Sequence, residues 1–324
     1  MASPVIAAPP VRQTQSFARR LISGDEIAFA VTWTFASTIL LVTVMLVWQL
    51  YVKSAPARDK FGFGFFTSSV WDPTGEKFGS LPFIYGTLLT SFLALLISVP
   101  LGVGAAIFLA EMAPRRLSNV ASFLVELLAA VPSVIYGLLA IFTLIPLLRN
   151  YGEPFLKATL GFLPFFQGPM YGVGYLAAGI ILAVMTFPFI ISLSREALMD
   201  VPNDQREAAL ALGATKWEST WQAVVPFARL GIIGSVFLGL ARALGETMAV
   251  TMVIGNTPSV SASLFAPGTT IAATIANEFA EASGDVYLGS LIYLALVLFL
   301  LTIIINGMAR ILIIATTKKG SALT

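Results

Sequence analysis

Arg242 and Glu246 stand four residues apart inside a run of otherwise apolar residues, Leu230–Ile254. A charged side chain at the centre of a membrane helix costs roughly 2.5–3.5 kcal/mol, so a residue of this kind marks function by default. In a continuous helix the spacing puts both on one face, where they can pair. A guanidinium presents a planar fork of N–H donors that matches an oxyanion, and the carboxylate would hold the fork in place and keep the anion from binding too tightly. The competing reading is a structural ion pair that ties helices together. Glu126, in another apolar run, is then a further partner for Arg242, and taken alone it is assigned to structure. The remaining chemical inventory is thin. With no Cys and no His in the chain, disulfides, thiolate metal sites, Cys or His nucleophiles and histidine switches are excluded, and no metal ligands or catalytic residues are expected. An intramembrane enzyme would have only Arg242 and Glu246 to work with, and no nucleophile beside them.

The second constellation lies in the polar stretch 194–229. Asp204 with Glu207 three residues on reads as a helix start, and Gly213 suits a left-handed stop. Thr215 with Glu218 reads as a capping box, and Pro226 marks entry to the next apolar run. The stretch is therefore expected to fold as helix, turn, helix. Its first helix, Gln205–Leu212, is rich in Ala, so a partner backbone can approach it closely. That is the shape of a plug for a groove on another protein; the alternative is a connector that merely shields the end of a bundle.

Both constellations depend on membrane helices. Of 324 residues 57% are hydrophobic and 11% charged, against about 25% charged in soluble domains. A net charge of +2 with no dense basic block sets nucleic acid aside. Six apolar runs approach or exceed the roughly 20 residues that cross a bilayer: Ile27–Val52, Phe83–Ala110, Val120–Leu148, Tyr171–Leu193, Leu230–Ile254 and Val286–Ile314. The first is too long for the hydrophobic region of a signal peptide and lacks a cleavage site after it, so it reads as a retained helix. Kinks are expected at Pro100, Pro132, Pro146 and Pro188. The organisation that follows is a tail 1–26, a first membrane helix 27–52, a core 83–314 holding the loop 194–229, and a tail 315–324. The side carrying both termini and that loop has twelve basic residues against six on the other, which places it in the cytoplasm of a cell (inner) membrane protein by the positive-inside rule. On the outer side, Phe61–Lys77 and Thr270–Glu281 read first as interfacial anchors and second as docking surfaces; in the latter, Ile271, Ile275 and Phe279 share one helical face.

Glu207-Ala208-Ala209, Gly213 and Pro226 resemble the EAA signature of bacterial ABC-importer permeases, E-A-A-x-x-x-G followed after nine residues by I-x-L-P. Ala223 and Val225 stand where that pattern has Ile and Leu. In that family the loop docks on the ATPase, which assigns Glu207, Ala208, Ala209 and Gly213 to coupling. Four segments narrow the resemblance: Ala241–Val250, Pro82–Thr87, Val131–Gly137 and Ile275–Ala280. They are similar to the phosphate-specific permease subunits of the PstC family, within the MetI-like binding-protein-dependent permeases. The likeness covers about residues 60–315. It implies an all-α fold of six transmembrane helices with a cytoplasmic coupling helix. It also implies a second permease subunit (PstA-like), an ATPase dimer (PstB-like) and a phosphate-binding protein (PstS-like). Phosphate would pass Arg242 and Glu246. Other oxyanions, sulfate or molybdate, are the nearest alternatives; a passive anion channel or secondary transporter is the next, though neither needs a helix that docks on an ATPase.

Energetics point the same way. Importing a doubly charged anion against about 100 mV costs roughly 4–5 kcal/mol. No G-x-x-x-x-G-K-[ST] phosphate loop occurs in the chain; the nearest spacing, Gly284 to Gly289, continues with Ser290 and Leu291. The nucleotide and its magnesium are thus expected on the partner ATPase, with no cofactor on this chain.

Overall fold

A computed structural model describes residues 25–321, with the side chains of 26–308, 310 and 311. The tail 1–26 lies almost wholly outside these residues, and 322–324 of the other tail lie outside them too. The chain divides into two compact units, Met1–Val52 and Lys53–Thr324. Among the described residues the first contributes α1 (Asp25–Lys53). Phe29, Trp33, Phe35, Ile39 and Leu46 are all exposed on it, so it is apolar all round, as a helix solvated by lipid must be. Its Thr32, Thr34, Thr38 and Thr43 hydroxyls donate back to carbonyls four residues earlier, which hides their polarity where no water is at hand.

The second unit holds five further helices long and apolar enough to cross a bilayer. They are α2 (Leu81–Met112), α4 (Ser133–Leu160), α5 (Tyr175–Met199), α7 (Lys216–Gly245) and α10 (Asp285–Ser321). Between them lie α3 (Arg115–Ala129), α6 (Asn203–Ala211), α8 (Met248–Val253) and α9 (Ile271–Glu278). α5 is the central post, with two thirds of its most apolar window buried. Leu182, Ile190, Ile191 and Leu198 along its length are at most 2% exposed. One end of the unit is closed by an aromatic cluster of Phe65, Phe78, Phe83 and Tyr293. There a short hairpin, β1 (Trp71–Asp72) with β2 (Lys77–Phe78), pairs Trp71 with Phe78. Glu278 of α9 accepts hydrogen bonds from Trp71 Nε1 (2.8 Å) and Tyr287 Oη (2.7 Å), joining hairpin, α9 and α10.

Three expected runs are corrected. Val120–Leu148 is two elements, because Pro132 lacks an N–H and forces Val131 out of helical geometry; α3 ends at Ala129 and α4 begins at Ser133. α3 is an inverted amphipath: Ser118 and Ser122 are buried, while Leu117, Val120, Phe123, Leu124 and Leu127 are exposed. Leu230–Ile254 is displaced: α7 begins at Lys216, ends at Gly245, and the chain resumes helix at Met248. Tyr171–Leu193 begins late, since Gly172 and Gly174 take positive φ (76° and 148°) and the helix starts only at Tyr175. The helices run through Pro100 and Pro188 without a break. By contrast, wide π turns at Ala140–Leu144 and Thr220–Val224 lie directly ahead of Pro146 and Pro226. A π turn bonds i to i+5, so each proline's missing N–H and its clash with the carbonyl four residues back fall where the regular ladder is already interrupted. Of the three apolar residues expected along α9, Ile271 is buried, Ile275 half-buried and Phe279, just past its end, exposed.

Candidate functional site

The exposed loop folds as helix, turn, helix. α6 starts after Pro202, whose extended geometry (φ −56°, ψ 140°) begins the helix two residues earlier than expected. The expected cap from Asp204 is not made; its carboxylate lies in the first turn, where a negative charge complements the helix dipole. The stop is a Schellman motif: the Gly213 N–H donates to Leu210 O (3.0 Å) and the Ala214 N–H to Ala209 O (3.2 Å). Gly213 sits at φ +89°, a conformation that disfavours any side chain. Thr215 then forms the expected capping box: its Oγ1 accepts from Glu218 N (3.3 Å), and Glu218 Oε2 accepts from Thr215 N (2.8 Å). The second helix has no end before the bundle, since Lys216 opens α7 itself.

Glu207 and Ala208 are exposed and Ala209 is half-buried. Ala208, Ala209 and Gly213 line an open groove of about 530 Å³ together with Glu218 and Gln222. No residue of α6 is buried within this chain, so the face carrying these residues is free for a partner.

What sequence reasoning missed is how α6 is held. Arg206 Nη2 donates to Glu111 Oε1 (2.8 Å), with Nε 3.2 and 3.3 Å from the two carboxylate oxygens. The same guanidinium donates to Leu198 O (2.8 Å) and to Val201 O, and so also caps the carbonyl end of α5. The side chains are 20% and 7% exposed, so Glu111 is buried and Arg206 half-buried against it. Removing Arg206 would leave the buried carboxylate uncompensated, which for a fully buried pair costs about 3–5 kcal/mol. The two residues are 95 positions apart; the available signal was only that an acid and a base fall at the same expected end of the bundle, where other bases also lie.

Arg242 and Glu246 do not form the expected pair. α7 ends at Gly245, and Glu246 is extended (φ −70°, ψ 128°), so the two no longer share a helical face. Glu246 Oε1 instead lies 3.5 Å from the Ala249 N–H at the start of α8. Nor does Glu126 meet Arg242; it lines a small polar pocket with Ser122, Arg195 and Glu196 between α3 and α5. Arg242 is exposed, with its guanidinium carbon 6.0 Å from the centroid of the Phe189 ring, within cation–π range.

Small residues recur at every fourth position of α7, Gly231, Ser235 and Gly239, and pack on α5 of the same chain. A Cβ on Gly231 would collide with that of Ala197, the Ser194 and Ser235 hydroxyls are 2.6 Å apart, and a Cβ on Gly239 would come within 3.1 Å of Ile190. With 231, 235 and 239 turned to α5, Arg242 lies at the edge of that seam beside Phe189 of α5, and is exposed there together with Leu238 four residues before it.

Two of the segments singled out by sequence meet in space, and a third meets the residues just ahead of the fourth. Gly137 faces Ala249 and Met252, bringing the start of α4 against α8, and Gly86 faces the Thr269 carbonyl. Thr87 Oγ1 accepts the Ile271 N–H (3.0 Å), so the α2 segment supports the start of α9.

Comparison with known proteins follows the same lines. The family model described as "Binding-protein-dependent transport system inner membrane component" matches residues 98–316. The phosphate transport system permease protein PstC of Mesorhizobium japonicum is 46% identical over 321 residues, 98% of each chain. The PstC of Xylella fastidiosa strain 9a5c is 48% identical over 262 residues, 80% of this chain and 81% of that one. The PstC of Pasteurella multocida is 42% identical over 314 residues, 95% and 98% of the two. Two solved structures share the fold. One is a bacterial ABC transporter involved in import of the acidic polysaccharide alginate (TM-score 0.58, 18% identity, 90% of this chain and 98% of that one). The other is the MetNI methionine ABC transporter (TM-score 0.53, 18% identity, 72% and 94%). With six helices apolar enough to cross a bilayer among the described residues, the chain is a multi-pass inner-membrane protein and belongs to the family of binding-protein-dependent transport system inner membrane components, in its PstC group.

Proposed function

We propose that this chain is one of two permease subunits of an ATP-driven phosphate importer and forms half of its translocation path. The observation that carries the reading is the exposed α6, whose Ala208 and Ala209, with Gly213 in the turn after it, face an open groove while its own chain buries none of its residues. In this reading a partner ATPase seats on that groove, with Glu207, Ala208, Ala209 and Gly213 as the coupling surface. The basic-residue asymmetry supports placing that end and both termini in the cytoplasm. Arg242 lines the path from the open face of α7, offering donors to the anion. Glu246, at the break between α7 and α8, flanks the same path as a separate acceptor, not as the partner of Arg242. ATP and magnesium belong to the ATPase dimer (PstB-like). A second permease (PstA-like) completes the path, and a phosphate-binding protein (PstS-like) delivers the anion to the far end.

The PstC names of relatives at 42–48% identity support phosphate over other oxyanions. The test is ATP-dependent uptake of labelled phosphate into proteoliposomes holding the whole complex, with sulfate as competitor. Uptake that requires ATP and survives excess sulfate is expected. Uptake without ATP, or equal competition by sulfate, would overturn the assignment.

A further inference from the structure

α6 has little hold on its own chain. Its larger contacts are with the first turns of α7, and it buries no residue of its own. Arg206 is the exception. It reaches from α6 to the π turn Phe108–Met112 at the end of α2, where Glu111 lies, and to the last carbonyls of α5 at Leu198 and Val201. Leu198, Val201 and Leu109 around this contact are 0%, 3% and 7% exposed and belong to one apolar cluster with Ala106, Ile107 and Val224. The guanidinium therefore sits where three elements end, with acceptors on each side: a carboxylate from α2, and two carbonyls from α5 and the turn after it.

We propose that Arg206 is the positioning residue through which α6 moves α2 and α5. The chain links α6 directly to α7, so a push on the loop reaches α7 without help. Reaching α2 requires a contact, and a fork that holds Glu111 and the end of α5 together turns loop, α2 and α5 into one block. Arg206 stands immediately before Glu207, so the face offered to the ATPase and the anchor to the bundle are adjacent on one helix. The proposal rests on the reading of α6 as the ATPase-docking helix.

The test uses the whole complex in proteoliposomes and reads three quantities: ATPase retained on purification, ATP hydrolysed on addition of loaded binding protein, and phosphate imported per ATP. The variants are Arg206→Lys, Arg206→Gln and Glu111→Gln. Arg206→Gln and Glu111→Gln are each expected to keep the ATPase within two-fold of wild type and to lower phosphate imported per ATP at least ten-fold. Arg206→Lys, which keeps the charge without the fork, is expected to fall between. Because the chain has no Cys, a Glu111→Cys/Arg206→Cys double variant can be joined by a short bismaleimide after assembly. The covalent strut is expected to raise import per ATP at least five-fold over the unjoined form, a recovery that a role in folding or assembly would not allow. Unchanged import per ATP in the single variants, loss of the ATPase from the complex, or no recovery on joining would each overturn the proposal. A wild-type complex that retains no ATPase would instead overturn the docking reading.

Discussion

At the scale of single residues, Arg242 is exposed over an aromatic ring, whereas Arg206 is packed against the buried Glu111. Hydrogen bonds to a charged group contribute about 1.5–3 kcal/mol each, so Arg242→Gln is expected to abolish phosphate uptake while the ATPase still co-purifies with the complex. Normal uptake in that variant would remove Arg242 from the path. The position of Arg242 within an apolar run was legible, but its partner was not: the i, i+4 rule assumes a continuous helix, and nothing local announced the break after Gly245. Asp72 gives a prediction of a different kind. The Thr74 hydroxyl and then the Gly75 N–H hold its carboxyl below the usual carboxylate range. A depressed folded-state value means that the turn's stabilisation is complete above the unfolded carboxylate range and is lost as pH falls through the lower, folded value. A titration of Trp71 fluorescence, one residue away, is expected to show its midpoint below that of an ordinary aspartate. A midpoint at or above it would contradict the hydrogen-bond assignment.

At the scale of elements, the loop was the most legible part because its signals are local. Gly213 as a left-handed stop and Thr215–Glu218 as a capping box are fixed by chemistry within a few residues, and both are present. Asp204 failed as a cap because Pro202, two positions earlier, already starts the helix. Gly213→Pro is expected to release the ATPase from the complex: proline holds φ near −65° against the +89° required and removes the N–H that closes on Leu210. ATPase retained at wild-type levels would show that the turn is dispensable for docking. Small residues at every fourth position of α7 allow close packing, but the spacing does not say which helix they meet, since any helix in lipid could lie against them. That it meets α5 predicts that Gly231→Val, which forces a side chain into Ala197, costs about 1–3 kcal/mol. A melting temperature in detergent unchanged from wild type would argue against so tight a seam.

At the scale of the whole molecule, six helices were countable from hydropathy because each needs enough apolar residues to cross a bilayer. Their ends were not, since hydropathy does not see that Pro132 splits a run or that α7 reaches back to Lys216. The buried Arg206–Glu111 contact was invisible for a related reason, as it joins residues 95 positions apart. Orientation is a property of the whole chain and is open to direct test. Introduced cysteines would be the chain's only thiols, so Leu212→Cys and Phe63→Cys, at positions 90% and 91% exposed, are expected to react with an impermeant maleimide from opposite faces of the membrane. Reaction from the same face would reverse the topology.

The seam between α5 and α7 also limits how the molecule can open. At Gly231 not even a methyl group would fit, at Gly239 one would fit only tightly, and the Ser194 and Ser235 hydroxyls bond across the seam, so the two helices are held close along their length. They behave as a single leaf of a door, and the doorway must lie along the leaf's free edge, where Leu238 and Arg242 look out.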